Sequence, residues 1–259
     1  MFYRLNVRGT PAVFAAMTLL LGACTADPST SKAALPADKD NTESVPTETS
    51  EAVPGEPTYS PDPGEVITLP QRQGWSVLRQ GRYTVRVTPS LDYQVDVPDN
   101  YRALSGRFLN TPVEGPSIFF VAPAPADRTR LPVRPCRDHT TTKPVGPTVS
   151  DLAEALRDQP LLQVSKPVPV TLDSHKGLYL EVRIPLRVDP RPCTDNKIAL
   201  WSQGPDGWLW EPGYLGRWWI LDVHGQRTVV MPQCDTTCPD TQLNTLTQMA
   251  ESITFTTKQ

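Results

Sequence analysis

The stretch RWWILDVHGQRTVV, Arg217–Val230, decides the fold. Arg217–Val223 and Gln226–Val230 are rich in β-branched and aromatic residues and flank the pair His224-Gly225. Two such runs separated by two residues, the second a glycine that accepts positive φ, mark a β-hairpin. In an extended strand Trp218 and Trp219 point to opposite faces, so at least one of them is available to a core. Similar patterns occur on both sides. Tyr83, Val85 and Val87 alternate with polar residues, as do Leu91, Tyr93, Val95 and Val97, and both runs read as half-buried strands. Ser117–Val121 (SIFFV) is a short buried run. Leu178, Leu180, Val182 and Ile184 alternate with Tyr179, Glu181 and Arg183, a further strand.

Two helices are expected among these strands. One covers Asp151 to Asp158, capped by Thr148 or Ser150, with Leu152, Ala155 and Leu156 on its apolar face and Pro160 beyond its end. The other starts at Pro239 and carries Leu243, Leu246 and Met249 on one side. A last strand, Ile253 to Phe255, follows. The stretch around Cys136 reads as a proline-studded loop. This order predicts the α+β class, an antiparallel sheet with helices packed on its faces.

The 259 residues do not all belong to that domain. Arg4 and Arg8 precede the apolar run Ala12–Leu21 and the small residues Gly22-Ala23, the parts of an export signal. The run is too short to span a bilayer, which takes about 20 residues. Leu21-Gly22-Ala23-Cys24 resembles the lipobox of bacterial lipoproteins. The resemblance implies cleavage before Cys24, acylation of that cysteine with chains of the palmitate type, and a lipid anchor at the extracytoplasmic face of the cell membrane. Thr25 to Ile67 holds nine acids and two lysines with almost no large apolar residue, so it cannot offset its ordering entropy. The expected organisation is a signal peptide at 1–23, a disordered Pro/Ser/Thr/acid-rich tether at 24–67, and one domain at 68–259. The whole chain has a net charge of −3, carried by the tether; the head is near neutral. That balance, with export, argues against a nucleic-acid partner.

Cysteine usage agrees with an exported, oxidised protein. With Cys24 lipidated, Cys136, Cys193, Cys234 and Cys238 remain. Cys234 and Cys238 enclose only three residues and suit a local bridge. Cys136 and Cys193 both lie in loop-like sequence and suit a long one. The competing readings are a zinc site, from Cys136, His139 and the Cys234/Cys238 pair, and a Cys136–His139 nucleophile. The first lacks repeated CxxC pairs, and a bridged sulfur cannot perform the second. No metal and no cofactor are expected.

The segments YQVDVPDNY (Tyr93–Tyr101), HKGLYLEVRIP (His175–Pro185), WWILDVHGQRTVVMP (Trp218–Pro232) and LTQMAESITF (Leu246–Phe255) together resemble the PsbP-like fold, which includes lipoproteins of the LpqN type. That group usually carries a tryptophan soon after the valine-proline step, where this chain has Tyr101. The resemblance implies binding or scaffolding roles without a shared active site, so no functional residue is carried over.

Five of the six tryptophans, Trp201, Trp208, Trp210, Trp218 and Trp219, fall within one segment together with Tyr214. Exposed indoles stack on sugar rings and donate hydrogen bonds. Trp208, Trp210, Tyr214 and Trp218 are therefore the candidate ligand surface, and core packing is the competing role. Hydrolase, metalloprotease and nucleotide-binding motifs are absent from the sequence. Arg137-Asp138-His139 reads as a charged loop, and Arg183, Arg187 and Arg191 recur within a short span. The expected function is a lipid-anchored, exported, non-catalytic binding or accessory domain of the bacterial cell envelope. It would be held to the membrane through Cys24, with a cell-wall glycan or an envelope protein as partner. The alternatives are an envelope hydrolase of glycan or ester substrates, and a sensory or assembly partner of a membrane protein.

Overall fold

The computed structural model describes residues 55–111, 117–136, 138–201, 209–235 and 239–257. The signal peptide, the lipobox at Leu21–Cys24 and most of the expected tether lie outside them. In chain order the first elements are β1 (Thr58–Tyr59), β2 (Val66–Thr68), β3 (Trp75–Leu78), β4 (Gly81–Thr88), β5 (Leu91–Val97), β6 (Tyr101–Leu104), β7 (Phe108–Asn110), β8 (Ser117–Pro123), β9 (Arg130–Arg134) and β10 (Asp138–Pro144). Next come α1 (Val149–Arg157), β11 (Gln163–Val164), β12 (Val168–Leu172), β13 (His175–Arg183), β14 (Ile198–Ala199), β15 (Leu209–Trp210), β16 (Leu215–Val223), β17 (Gln226–Cys234), α2 (Asp240–Glu251) and β18 (Thr254–Thr257).

Ten strands form one sheet in the order β1-β3-β6-β7-β8-β17-β16-β13-β11, with β12 also on the free side of β13. A second sheet runs β18-β5-β4-β2, and β9–β10 and β14–β15 make two-stranded ribbons. The decisive hairpin lies near the middle of the large sheet. Val223 faces Gln226 across it, and the turn residues His224 (φ 52°) and Gly225 (φ 80°) both have the positive φ of a tight two-residue turn.

The expected α+β class is overturned. Strands make up 49% of the structure and helix 13%, so the fold is sheet-dominated. The difference comes from short strands in proline-bearing or irregular sequence. The region around Cys136, expected as a loop, contains the β9–β10 ribbon, with Leu131 facing Lys143. The expected tether boundary at 67 also shifts, because β1 pairs in parallel with β3 and β2 in parallel with β4. Alternation is too short in these elements to be read locally. Pairing with a neighbour already in place satisfies their backbone groups instead.

Alternate residues of the central strands supply two cores, one on each face of the large sheet. On one face Trp219, Leu221 and Val223 of β16, Val230 of β17 and Phe119 of β8 meet the second sheet and α2. Tyr83, Val85, Tyr93 and Val95 come from that sheet, and Leu243, Leu246 and Met249 from the helix. On the other face Trp218, Ile220, Val229, Met231, Leu180 and Val182 meet Leu152, Ala153 and Leu156 of α1, with Leu131, Ile198 and Trp201. Every residue of β17 after Gln226 is buried because both of its faces are covered.

The entry of the chain into the domain is pinned. Arg102 of β6 pairs with Glu56, and its guanidinium carbon lies 4.8 Å from the ring centroid of Trp75. The β12 edge carries Pro167 and Pro169, which remove two N–H donors and blunt that edge against pairing with another chain.

Candidate functional site

The tryptophan segment divides between core and rim. Trp201 and Trp218 are each 1% exposed and Tyr214 is 2% exposed. Trp218 Nε1 donates to the Tyr214 hydroxyl at 2.9 Å, and that hydroxyl donates to Gln233 Oε1 at 2.9 Å. Burial pushes the Tyr214 hydroxyl pKa far above its usual range. Gly216 lies beneath this chain of bonds, and a Cβ there would collide with the Tyr214 hydroxyl and the Trp218 indole nitrogen. The expected ligand surface is corrected at Tyr214 and Trp218: rings sealed in this way cannot stack on a sugar. Trp219 is buried on the opposite face of β16, as strand alternation requires. Trp210 is half-buried, its ring centroid 4.9 Å from that of Tyr214. Trp208 lies outside the described residues.

The long bridge is present. Cys136 and Cys193 are joined, with a sequence separation of 57. The bridged sulfur removes the Cys136–His139 nucleophile from consideration. Cys234 is also disulfide-bonded. Its expected partner Cys238 lies outside the described residues, as do Cys24 and Arg137.

The Cys136–Cys193 bridge ties the end of β9 to the strap at residues 185–193. The strap is folded by two successive turns, with the Val188 N–H donating to the Pro185 carbonyl at 3.0 Å and the Cys193 N–H to the Pro190 carbonyl at 2.8 Å. The Ala199 N–H reaches the Pro135 carbonyl at 2.9 Å, and Gln159 Nε2 beyond α1 reaches the Pro132 carbonyl at 3.1 Å. These bonds hold three irregular segments together around an open groove of about 530 Å³. Pro135, Pro160, Leu161, Val188 and Pro192 make it apolar. Leu161 is 38% exposed although it is a large aliphatic residue.

Charge sits at the rim of the groove. Arg134 and Arg187 line it, and among the described residues neither guanidinium has a hydrogen bond or ion pair. Asp189 also lines it but is occupied, since Arg191 Nε and Nη2 donate to its two oxygens at 2.9 and 2.8 Å. Those bonds hold the Asp189 carboxyl below the usual carboxylate range. Asp189 therefore stays ionised and neutralises Arg191, which leaves Arg134 and Arg187 without a matched acid among the described residues.

Arg187 also lines a second cleft of about 460 Å³, between the strap and the first turn of α2. That cleft mixes signs, with Arg183 and Arg187 opposite Asp235 and Asp240. Arg183 is itself paired to Glu181 at 3.0 Å. Leu186, which lines this second cleft, is 75% exposed. The arrangement combines an apolar floor, two guanidinium groups without a hydrogen bond or ion pair among the described residues, and a neighbouring polar cleft. Sequence reasoning noticed the recurring arginines of IPLRVDPRPC but not Arg134, Leu161 or Leu186. The available signal was Leu186, a leucine between proline and arginine with no place in the strand alternation.

Among the described residues no group of three or more His, Cys, Asp and Glu could hold a metal ion, and no helix is long and apolar enough to cross a membrane. No protein-family model matches the chain, and comparison with curated proteins finds none similar to it in sequence.

Proposed function

We propose that the protein is an exported, lipid-anchored binding or accessory domain of the bacterial cell envelope, and that it holds its partner in the arginine-rimmed groove beside Cys136–Cys193. The observation that carries this reading is the groove itself. It combines exposed aliphatic surface with two guanidinium groups that have no ion pair among the described residues, on a face held together by a disulfide. Isolated exposed leucines need no explanation, but a continuous apolar groove with polar groups at its rim is the usual form of a binding site. Arginine at such a rim selects carboxylate or phosphate through its planar fork of donors. The partner chemistry that fits is an apolar segment next to an acidic group, presented by an envelope protein. Disulfide bonding supports residence in an oxidising compartment, and the lipobox resemblance at Leu21–Cys24 supplies the anchor. The resemblance to PsbP-like proteins implies the same class of role.

Two measurements test the reading. Replacing Cys24→Ala should move the protein from the membrane fraction to the soluble one, or arrest its maturation; an unchanged mature form in the membrane sinks the anchor. For the groove, a photo-crosslinker at Leu161 should give an envelope-protein adduct that a crosslinker at exposed Glu251 does not. That adduct should disappear in an Arg134→Glu/Arg187→Glu background. Equal labelling from both positions, or labelling insensitive to the arginines, removes the groove from the reading.

A further inference from the structure

Two tight turns lie together at one end of the large sheet. Asp173-Ser174 joins β12 to β13, and His224-Gly225 joins β16 to β17. Because β13 and β16 are hydrogen-bonded neighbours, with Gly177 opposite Leu221, the first residue of β13 stands beside the second turn. That residue is His175. Its ring centroid is 4.8 Å from that of His224, with the ring planes at 75°. The chain has only three histidines, and two of them meet here. Among the described residues neither imidazole takes part in a hydrogen bond or ion pair; His175 otherwise meets the edge of Phe255, centroids 5.4 Å apart.

The position of His224 is a second, independent observation. Its φ of 52° lies in the left-handed region, and the first residue of such a turn is ordinarily Asn, Asp or Gly. An imidazole held there by the flanking strands, where asparagine would serve the turn better, directs attention to what the ring does.

We propose that His175 and His224 form a two-imidazole clamp for a borderline divalent transition ion, namely zinc, nickel or copper(II), with water completing the coordination shell. Two imidazoles on one tetrahedral ion, with metal–nitrogen bonds of about 2.0–2.1 Å, hold their ring centroids about 5 Å apart, which is the separation found. Imidazole nitrogen suits these ions and not magnesium or calcium, which take oxygen ligands. Among the described residues no third His, Cys, Asp or Glu completes a metal-holding group with them, and each neighbouring carboxylate has one oxygen engaged by the backbone. Asp173 Oδ2 accepts the Phe255 N–H at 2.5 Å, and Asp222 Oδ1 accepts the Gly225 N–H at 2.7 Å. The chain thus supplies two ligands and leaves the remaining positions open. The clamp is an exchangeable surface site able to accept a donor from a partner, in contrast to a closed structural centre. An ion there joins two hairpins and, through the His175–Phe255 contact, braces them against β18.

The test uses the untagged full-length protein, stripped with a chelator and titrated calorimetrically with zinc chloride and with nickel chloride. Saturable binding of one ion per chain is expected, unaffected by excess magnesium or calcium. The central variant is His224→Asn, which removes a ligand while suiting the left-handed turn; unchanged thermal unfolding of the metal-free variant certifies its fold. It and His175→Ala should weaken binding by about tenfold or more. His139→Ala should bind like the parent. No saturable binding of either ion, undiminished binding in His224→Asn, or a loss in His139→Ala instead overturns the clamp.

Discussion

One face of the large sheet is closed by a second sheet and the twelve-residue helix α2; the other is closed by the nine-residue helix α1, two ribbons and proline-rich loops. The first closure is regular and mutually hydrogen-bonded. The second is irregular, and its pieces are fastened one by one. Cys136–Cys193 fixes the strap, Gln159 fixes the end of α1 to β9, and Arg227 fixes the start of β17 to the loop before α1. The buried Arg227 donates through Nε to the Ala124 carbonyl at 2.7 Å and through Nη1 to the carbonyls of Gly146 at 2.5 Å and Thr148 at 2.8 Å. Loops leave grooves where regular layers leave none, and a groove is useful only if its walls are held. The candidate binding surface accordingly lies on the fastened face.

Alkali should have the largest effect, acting first on the regular face. Tyr83, Tyr93 and Tyr101 are buried there, against Tyr214 alone on the other side. Burial pushes Tyr83 and Tyr101 up to about 12 and Tyr93 higher still. In the unfolded chain these phenols lose their protons near pH 10. Between about pH 10 and pH 12 the unfolded state therefore binds fewer protons than the folded one, and stability falls as pH rises through that window. Below it the contribution is fully present. Phenolate absorbance of the buried rings should rise together with loss of near-ultraviolet circular dichroism, in one cooperative step. Ionisation of these tyrosines in a protein that keeps its tertiary signal would contradict their burial.

On the fastened face, Trp218→Ala should cost about 3–5 kcal/mol by urea denaturation, the range for a buried aromatic. It also leaves the Tyr214 hydroxyl without a donor. Trp210→Ala, at a half-buried ring, should cost clearly less. Equal losses would mean that Trp210 belongs to the core as fully as Trp218.

Replacing Cys136 and Cys193 together by serine should cost up to about 4 kcal/mol, from the entropy of the long loop released in the unfolded chain. The comparison between faces sharpens the expectation. Amide exchange should accelerate in β9, α1 and the strap while β4, β5 and β18 keep their protection. Uniform acceleration across both sheets would show that the two faces open together.

The sequence made the hairpin at His224-Gly225 legible because its signal is local, in two strong strands and a turn that needs positive φ. Strands β4, β5, β13 and β18 and both helices were legible for the same reason. β1, β2, β6, β7 and the β9–β10 ribbon were not, because strands of two to seven residues in proline-bearing or turn-rich sequence exist through their partners. Their omission turned a sheet-dominated fold into an expected α+β one. The Cys136–Cys193 pairing was readable from loop context, but the groove it frames was not, since Arg134, Leu161 and Arg187 are brought together only by the folded strap. The division of the tryptophan cluster between core and rim was not legible, because composition cannot distinguish an aromatic surface from an aromatic core. Gly216 was the missed cue: a glycine inside a strand, two residues before a tryptophan, marks a place where another group needs the room.

The smallest expected effect concerns the start of α1. Thr148 and Asp151 form a reciprocal cap. The Asp151 N–H donates to Thr148 Oγ1 at 3.1 Å, and the Thr148 N–H donates to Asp151 Oδ2 at 2.7 Å. These bonds, chiefly the one from the Thr148 backbone, hold the Asp151 carboxyl below its usual range, and the nearby Arg227 guanidinium adds to them. The contribution of Asp151 is therefore present above the ordinary aspartate pKa and is lost as pH falls through its lowered value. Thr148→Ala removes the hydroxyl acceptor and should cost about 1 kcal/mol. Thr148→Ser, which keeps the acceptor, should restore most of the loss. The Thr148 carbonyl also receives Arg227, so a cap that acted only on its own helix would change α1 exchange alone. A cap that helps hold the irregular cover in place should speed exchange at Ala124 as well, because that backbone is fastened by the same guanidinium. Acceleration confined to the first turn of α1 would separate the cap from the fastening and assign the hold on the loop to Arg227 without the cap.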